Sequence, residues 1–163
     1  MSGGLLGALT LVGGLTWLLL YLPGTHRATD VTVGVVFAAG GLVLLMPHRI
    51  RLPGLVTTGA VAGVAAAGTA AGLLIGSARA CCAFVYGMTR GFPFDALERD
   101  AIAADSATAQ RLAQGSEWHV NAIALAGDLV FWAYGGMLVV VVAVLARHTA
   151  ADHEPDRADL RRR

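Results

Sequence analysis

Between Asp128 and Arg147 the chain reads Leu129-Val130-Phe131-Trp132-Ala133-Tyr134-Gly135-Gly136-Met137-Leu138-Val139-Val140-Val141-Val142-Ala143-Val144-Leu145-Ala146. None of these residues is charged, and wound as an α-helix the run rises about 27 Å, close to the hydrocarbon thickness of a bilayer. Extended back to Val120 it predicts a membrane span over 120–146, stopped by Arg147-His148. Its solvent is therefore expected to be lipid.

The rest of the chain agrees. Of its 163 residues 56% are hydrophobic and 14% charged, against about 25% charged in soluble domains, and the mean hydropathy is +0.64. A water-excluding core this apolar would leave large sticky patches on so small a protein. Gly3 to Leu22 is uncharged, carries Trp17 and Tyr21 where an interfacial aromatic belt would lie, and stops at Pro23-Gly24. After the polar turn Thr25–Asp30, in which Asp30 is placed as an N-cap, Val31 to Met46 follows without charge. That span is short, about 24 Å, and implies local bilayer thinning or snorkelling flanks. A basic loop, Pro47 to Gly54, leads into a third uncharged run.

This third run holds Gly59, Gly63, Gly68, Gly72 and Gly76 among many alanines. Lipid supplies no hydrophobic drive for helix association, so small residues that admit close backbone approach must do that work. The run is expected to be a helix over 54–78 at the centre of the bundle, with those glycines as packing positions.

The resulting expectation is an all-α polytopic protein with a four-helix transmembrane domain over 1–148. Its spans are about 3–22, 31–46, 54–78 and 120–146, with an extramembrane loop over 79–119 and a disordered cytoplasmic tail over 149–163. Within the loop, Ala80–Met88 is read as a prolongation of the third helix. Pro93 then opens a short surface helix, with Leu97, Ala101, Ala104, Thr108 and Leu112 at three- and four-residue steps and Asp95 paired to Arg99. With both termini cytoplasmic, seven arginines fall inside and five outside, so the positive-inside rule favours that orientation in the cell membrane. Met1-Ser2-Gly3-Gly4 has no basic n-region and no cleavage site follows the first run, which is expected to be retained.

Asp128 is the ionisable residue inside an apolar span, where a carboxylate costs roughly 2.5–3.5 kcal/mol on insertion scales. One reading turns it inward, on a stripe with Asn121, Ala124, Trp132 and Gly135, and pairs it with Arg79 or Arg90 to lock the third helix to the fourth. The other places it at the outer headgroups, with Trp132 and Tyr134 as belt residues. His26 and His119 on one side, and His48 and His148 on the other, raise a haem reading. None lies within a span and no two stand four apart, so an interfacial role is preferred and no cofactor is assigned. Cys81-Cys82 are adjacent, unsuited to an ordinary disulfide, and read as small apolar fillers.

A phosphate loop, a serine nucleophile motif and H-E-x-x-H are all missing. A net charge of +1 gives no field for nucleic acid. The expected function is thus non-enzymatic: an accessory or assembly subunit whose partners are the bilayer and a second copy or other membrane subunits. The alternatives are a proton- or cation-linked transporter component using Asp128 and, third, a haem-binding redox subunit.

Tyr86-Gly87, Arg90-Gly91-Phe92-Pro93-Phe94, Leu97, Trp118 and Asp128-Leu129-x-Phe131-Trp132 together resemble a pattern in small, uncharacterised prokaryotic multi-pass membrane proteins. In those a glycine-aromatic-proline turn precedes a tryptophan and a D-x-x-F-W-like helix. The likeness covers about a third of the chain, and Asp95 stands where a second proline is common. It implies no activity. It does imply one cap, in which Gly91, Phe92 and Pro93 fold over the outer end of the fourth helix beside Asp128 and Trp132.

Overall fold

The computed structural model describes residues 2–21, 28–45, 54–81 and 84–152. Along these the order is α1 (Ser2–Tyr21), α2 (Ala28–Leu45), α3 (Gly54–Gly72), β1 (Gly76–Cys81), β2 (Val85–Arg90), β3 (Leu97–Ile102), α4 (Ser106–Gly115), β4 (His119–Val120) and α5 (Ala122–Asp152). Three of the helices are long and apolar enough to cross a membrane: Gly4–Tyr21, Ala28–Leu45 and Ala122–Arg147. Residues 25–27 of the expected polar turn, 47–53 of the expected basic loop, Cys82 and the tail from His153 lie outside the described residues, as do His26 and His48; α2 already begins at Ala28, so Asp30 stands in its first turn rather than at an N-cap.

The helices form two antiparallel pairs, α1 with α2 and α3 with α5, joined where α2 touches α5. The first pair is closed by glycine. A Cβ on Gly14 would stand 2.5 Å from the Ala38 amide nitrogen, and one on Gly41 would stand 2.5 Å from that of Leu11. Backbone meets backbone at both places. Between the pairs, the Thr10 hydroxyl and the Tyr134 phenol share a 2.9 Å hydrogen bond, and Phe37 packs edge-on to Phe131 and Tyr134. Outward faces are greasy: Leu5, Leu19, Leu20, Val139 and Val142 are each more than 60% exposed.

The all-α expectation is corrected by a four-stranded antiparallel sheet in the order β1-β2-β3-β4. Residues 73–75 turn the chain out of α3, so the helix ends at Gly72 rather than near 78, and residues 80–81 and 85–88 of the expected prolongation are strand rather than helix. Leu97–Ile102 is also strand. The short helix of this region starts only at Ser106, where the Asp105 side chain caps it by accepting from the Thr108 amide at 2.9 Å. It packs Ala109 and Ala113, both fully buried, against β2 and β3.

Period-two burial along β3 explains the misreading. Leu97, Arg99 and Ala101 point toward α4 while Glu98, Asp100 and Ile102 point away. Arg99 occupies an inward position, so the apolar-polar alternation that marks a half-buried strand is erased in the sequence. It is tolerated there because its guanidinium donates to the Gln114 carbonyl at 3.0 Å, in the last turn of α4, where a cation also meets the negative end of the helix dipole. The expected Asp95–Arg99 pair therefore does not form. At the other end α5 runs on through Asp152, into the start of the expected tail.

Candidate functional site

The β2–β3 connection, residues 91–96, folds down onto the ends of α3 and α5. Gly91 sits at φ +138°, a region that L side chains rarely adopt, and a Cβ there would press on the Phe94 carbonyl. Its amide donates to the Ile75 carbonyl at 3.1 Å, tying the connection to the exit of α3. The Phe92–Pro93 bond is cis.

Two side chains one helical turn apart on α5 grip this connection. The Phe94 amide donates to Asp128 Oδ1 at 2.9 Å, and Trp132 Nε1 donates to the Phe92 carbonyl at 3.1 Å. Both are bonds between backbone and side chain, so neither partner is specified by the identity of residue 92 or 94. Small residues make the approach possible. Gly68 of α3 faces the Trp132 indole, Gly72 faces the Phe92 carbonyl, and Gly127 lies beneath the Phe94 ring. On the far side Trp17 of α1 meets Phe94 edge-on, with ring centroids 6.3 Å apart. Every helix with a described end at this level except α2 thus contributes to one cap.

Asp128 is the largest fully buried side chain among the described residues, at 0% exposure, and stands about 9 Å along α5 from its first residue. Its side chain is turned into the protein, while its place near the start of α5 is common to both expectations. The ion pair that came with the inward expectation is replaced by the Phe94 amide. Arg79 instead approaches Asp95 at 3.8 Å on the exposed side of the sheet, and Arg90 lies over the Trp118 ring. Asp128, Gly91, Phe92, Pro93 and Trp132 are therefore gathered in the cap, while Arg79 and Arg90 belong to the sheet.

Of the α3 glycines, Gly68 and Gly72 are the ones in contact. A Cβ on Gly59 or Gly63 would meet nothing within 4 Å, and Gly76 has become the first residue of β1. The sequence reading passed over Gly7, Gly14, Gly34 and Gly41, whose seven-residue spacing in each of α1 and α2 was the available signal. Asn121, expected on the inward stripe with Asp128, instead stands just before α5 and caps it, its side chain accepting from the Ala124 amide at 3.1 Å.

Chemically the cap leaves three polar atoms unspent. Asp128 Oδ2, Thr69 Oγ1 and Trp17 Nε1 are buried without a hydrogen-bond partner among the described residues. Thr69 lies between the two glycines that receive Trp132 and Phe92, and Trp17 borders Phe94, so an acceptor and two donors surround the same turn. An open cleft of about 390 Å³, lined by Phe94, Asn121, Ile123, Ala124 and Gly127, adjoins the cap. A separate apolar groove of about 470 Å³ lies between the helix pairs, lined by residues that include Leu6, Leu44, Val61, Tyr134 and Met137. His119 is exposed on β4, and the His148 side chain lies outside the described residues. No group of three or more His, Cys, Asp or Glu side chains that could hold a metal occurs among the described residues.

No family model matches the chain, and neither a curated protein nor a solved structure matches it significantly.

Proposed function

We propose that the chain is a multi-pass protein of the cell membrane with both termini cytoplasmic, acting as a non-enzymatic accessory or assembly subunit. In this reading α3 is the fourth span. Its nineteen residues rise about 28 Å, and a charge-free surface of glycine and alanine suits burial among helices better than contact with water.

The observation that carries the assembly role is that α3 has two small-residue faces and the chain itself uses one. Gly68 and Gly72 receive Trp132 and the Phe92 carbonyl, whereas Gly59 and Gly63 face outward with no neighbour within Cβ reach. In lipid, a helix gains by closing such a face against another helix. Native mass measurement of the full chain in mild detergent, alone and with copurifying membrane proteins, tests this. A complex that dissociates in Gly63→Leu while the monomer keeps its melting temperature is the expected result. A solitary chain in every mild extraction, unchanged by Gly63→Leu, removes the assembly reading.

A second reading, a proton- or cation-linked transporter component, is favoured by one observation: the unspent Oδ2 of the fully buried Asp128. Intramembrane carboxylates commonly mark ion pathways. Pyranine-loaded liposomes containing the wild type would acidify under an imposed gradient, and Asp128→Asn would abolish the flux. Equal rates in both would dismiss it.

A further inference from the structure

Arg90 and Arg99 are diagonal neighbours on one face of the sheet, because Arg90 pairs with Leu97 and Met88 with Arg99. Both guanidiniums turn to the same indole, with their central carbons 4.8 and 4.3 Å from the Trp118 ring centroid. Their surroundings differ. Arg99 is half-buried and its two terminal nitrogens, donating to the Gln114 carbonyl and the Met88 sulfur, hold β3 to α4, while its Nε is buried without a partner among the described residues. Arg90 is exposed, and no carboxylate pairs with either arginine among the described residues. Two cations on one ring, with no carboxylate within ion-pair reach among the described residues, favour an anion there, and a planar guanidinium steadied by an aromatic face is preorganised to bind an oxyanion through paired N–H groups.

The depth of Arg90 indicates the oxyanion. It sits in the cross-strand row Gly76, Arg90, Leu97, Val120, at the end of the sheet where the chain leaves α3 and enters α5. Around that end Leu74, Ile75, Val120 and Ile123 are 54–87% exposed. An apolar rim on a helix-to-sheet junction is stable where it dips into acyl chains, which places Arg90 at headgroup level with its stem along the rim.

We infer that Arg90, braced on Trp118 beside Arg99, is a binding site for a phosphate group, namely that of an anionic phospholipid in the leaflet facing the sheet. The lipid source rests on the membrane placement proposed above, whereas the phosphate chemistry does not. The full chain in mild detergent is titrated with dihexanoyl-phosphatidylglycerol, dihexanoyl-phosphatidylcholine and inorganic phosphate, and bound lipid is counted by native mass spectrometry. The wild type retains phosphatidylglycerol in preference to phosphatidylcholine. Arg90→Gln weakens that retention about fivefold, the loss of one arginine at an anionic surface, and Arg90→Lys, without the planar fork, loses less.

On the unsubstituted chain, the Arg90 Nε–H resonance shifts on titration with phosphatidylglycerol while that of Arg147, at the far end of α5, does not. A comparable Arg90 shift with inorganic phosphate alone upholds the site and makes a free anion its ligand. A chain that stays in the supernatant without detergent would end the membrane reading and leave the phosphate titration to decide the site. Arg90 resonances unmoved by every probe would overturn the site, and equal lipid retention by wild type and a folded Arg90→Gln would overturn its lipid ligand.

Discussion

Replacing Asp128 separates two explanations of how the cap is held. In Asp128→Ala, the Phe94 amide loses its 2.9 Å acceptor in a partly buried setting, and α5 gains a small void. A hydrogen bond to a charged acceptor contributes about 1.5–3 kcal/mol, and a donor left unpaired costs a similar amount counted the other way, so the net loss is about 2–3 kcal/mol. For a chain of this size 1 kcal/mol moves Tm by roughly 2–4 °C, which gives a fall of about 4–12 °C. Asp128→Asn keeps a carbonyl oxygen where Oδ1 accepts and places an amide where Oδ2 is unspent, so its Tm stays within about 3 °C of wild type on the same scale. Thermal unfolding of the full chain in one detergent, followed by tryptophan emission, measures both. If Asp128→Ala melts with the wild type, the amide bond does not hold the turn. If Asn falls as far as Ala, charge rather than acceptance matters, and an ion pair would have to be sought again.

Gly41→Leu should force α1 and α2 apart, since its Cβ meets the Leu11 amide and the Gly7 carbonyl; overpacking of that kind costs about 1–3 kcal/mol. Gly13→Leu, where a Cβ meets nothing, is the matched control, and melting temperatures in detergent compare the two. Arg79→Ala removes an exposed pair at 3.8 Å and should shift Tm negligibly, because such pairs contribute about 0–1 kcal/mol; a clear drop at low salt only would show a wider network. Hydrogen bonds from the Thr108 hydroxyl and then its amide hold the Asp105 carboxyl below its ordinary value of 3.8. A depressed folded value means that the cap stabilises α4 above the unfolded value and is lost as pH falls through the folded one. Amide protection in α4 should therefore be constant from pH 7 to about 5 and fall below about pH 4, and Asp105→Asn should flatten that dependence.

Three of the helices could be read from composition, because a charge-free run long enough to cross a bilayer can satisfy its own backbone there only as a helix. The sheet could not, for reasons visible in its residues. β1 is Gly-Ser-Ala-Arg-Ala-Cys, with no β-branched residue, and β3 hides its alternation behind the inward Arg99. Alanine-rich stretches then imitate a helical period. The site was half legible. An aspartate in an apolar run and a glycine-aromatic-proline turn advertise themselves, but the partner of Asp128 is a backbone amide, which every residue but proline possesses, so the search for a partner settled on arginines. Close approach of α1 and α2 was written in glycines spaced by seven, and the denser glycines of α3 drew attention away from them.

The sheet interrupts the chain between α3 and α5, and it is joined to both through very short links and bolted to α5 by Asp128 and Trp132. Among the described residues those links and bonds leave the head little room to turn by itself, so torque applied to it would pass to the α3–α5 pair as to a single lever. That pair meets the rest of the bundle mainly along one seam, where α2 touches α5, and the seam is the natural fulcrum.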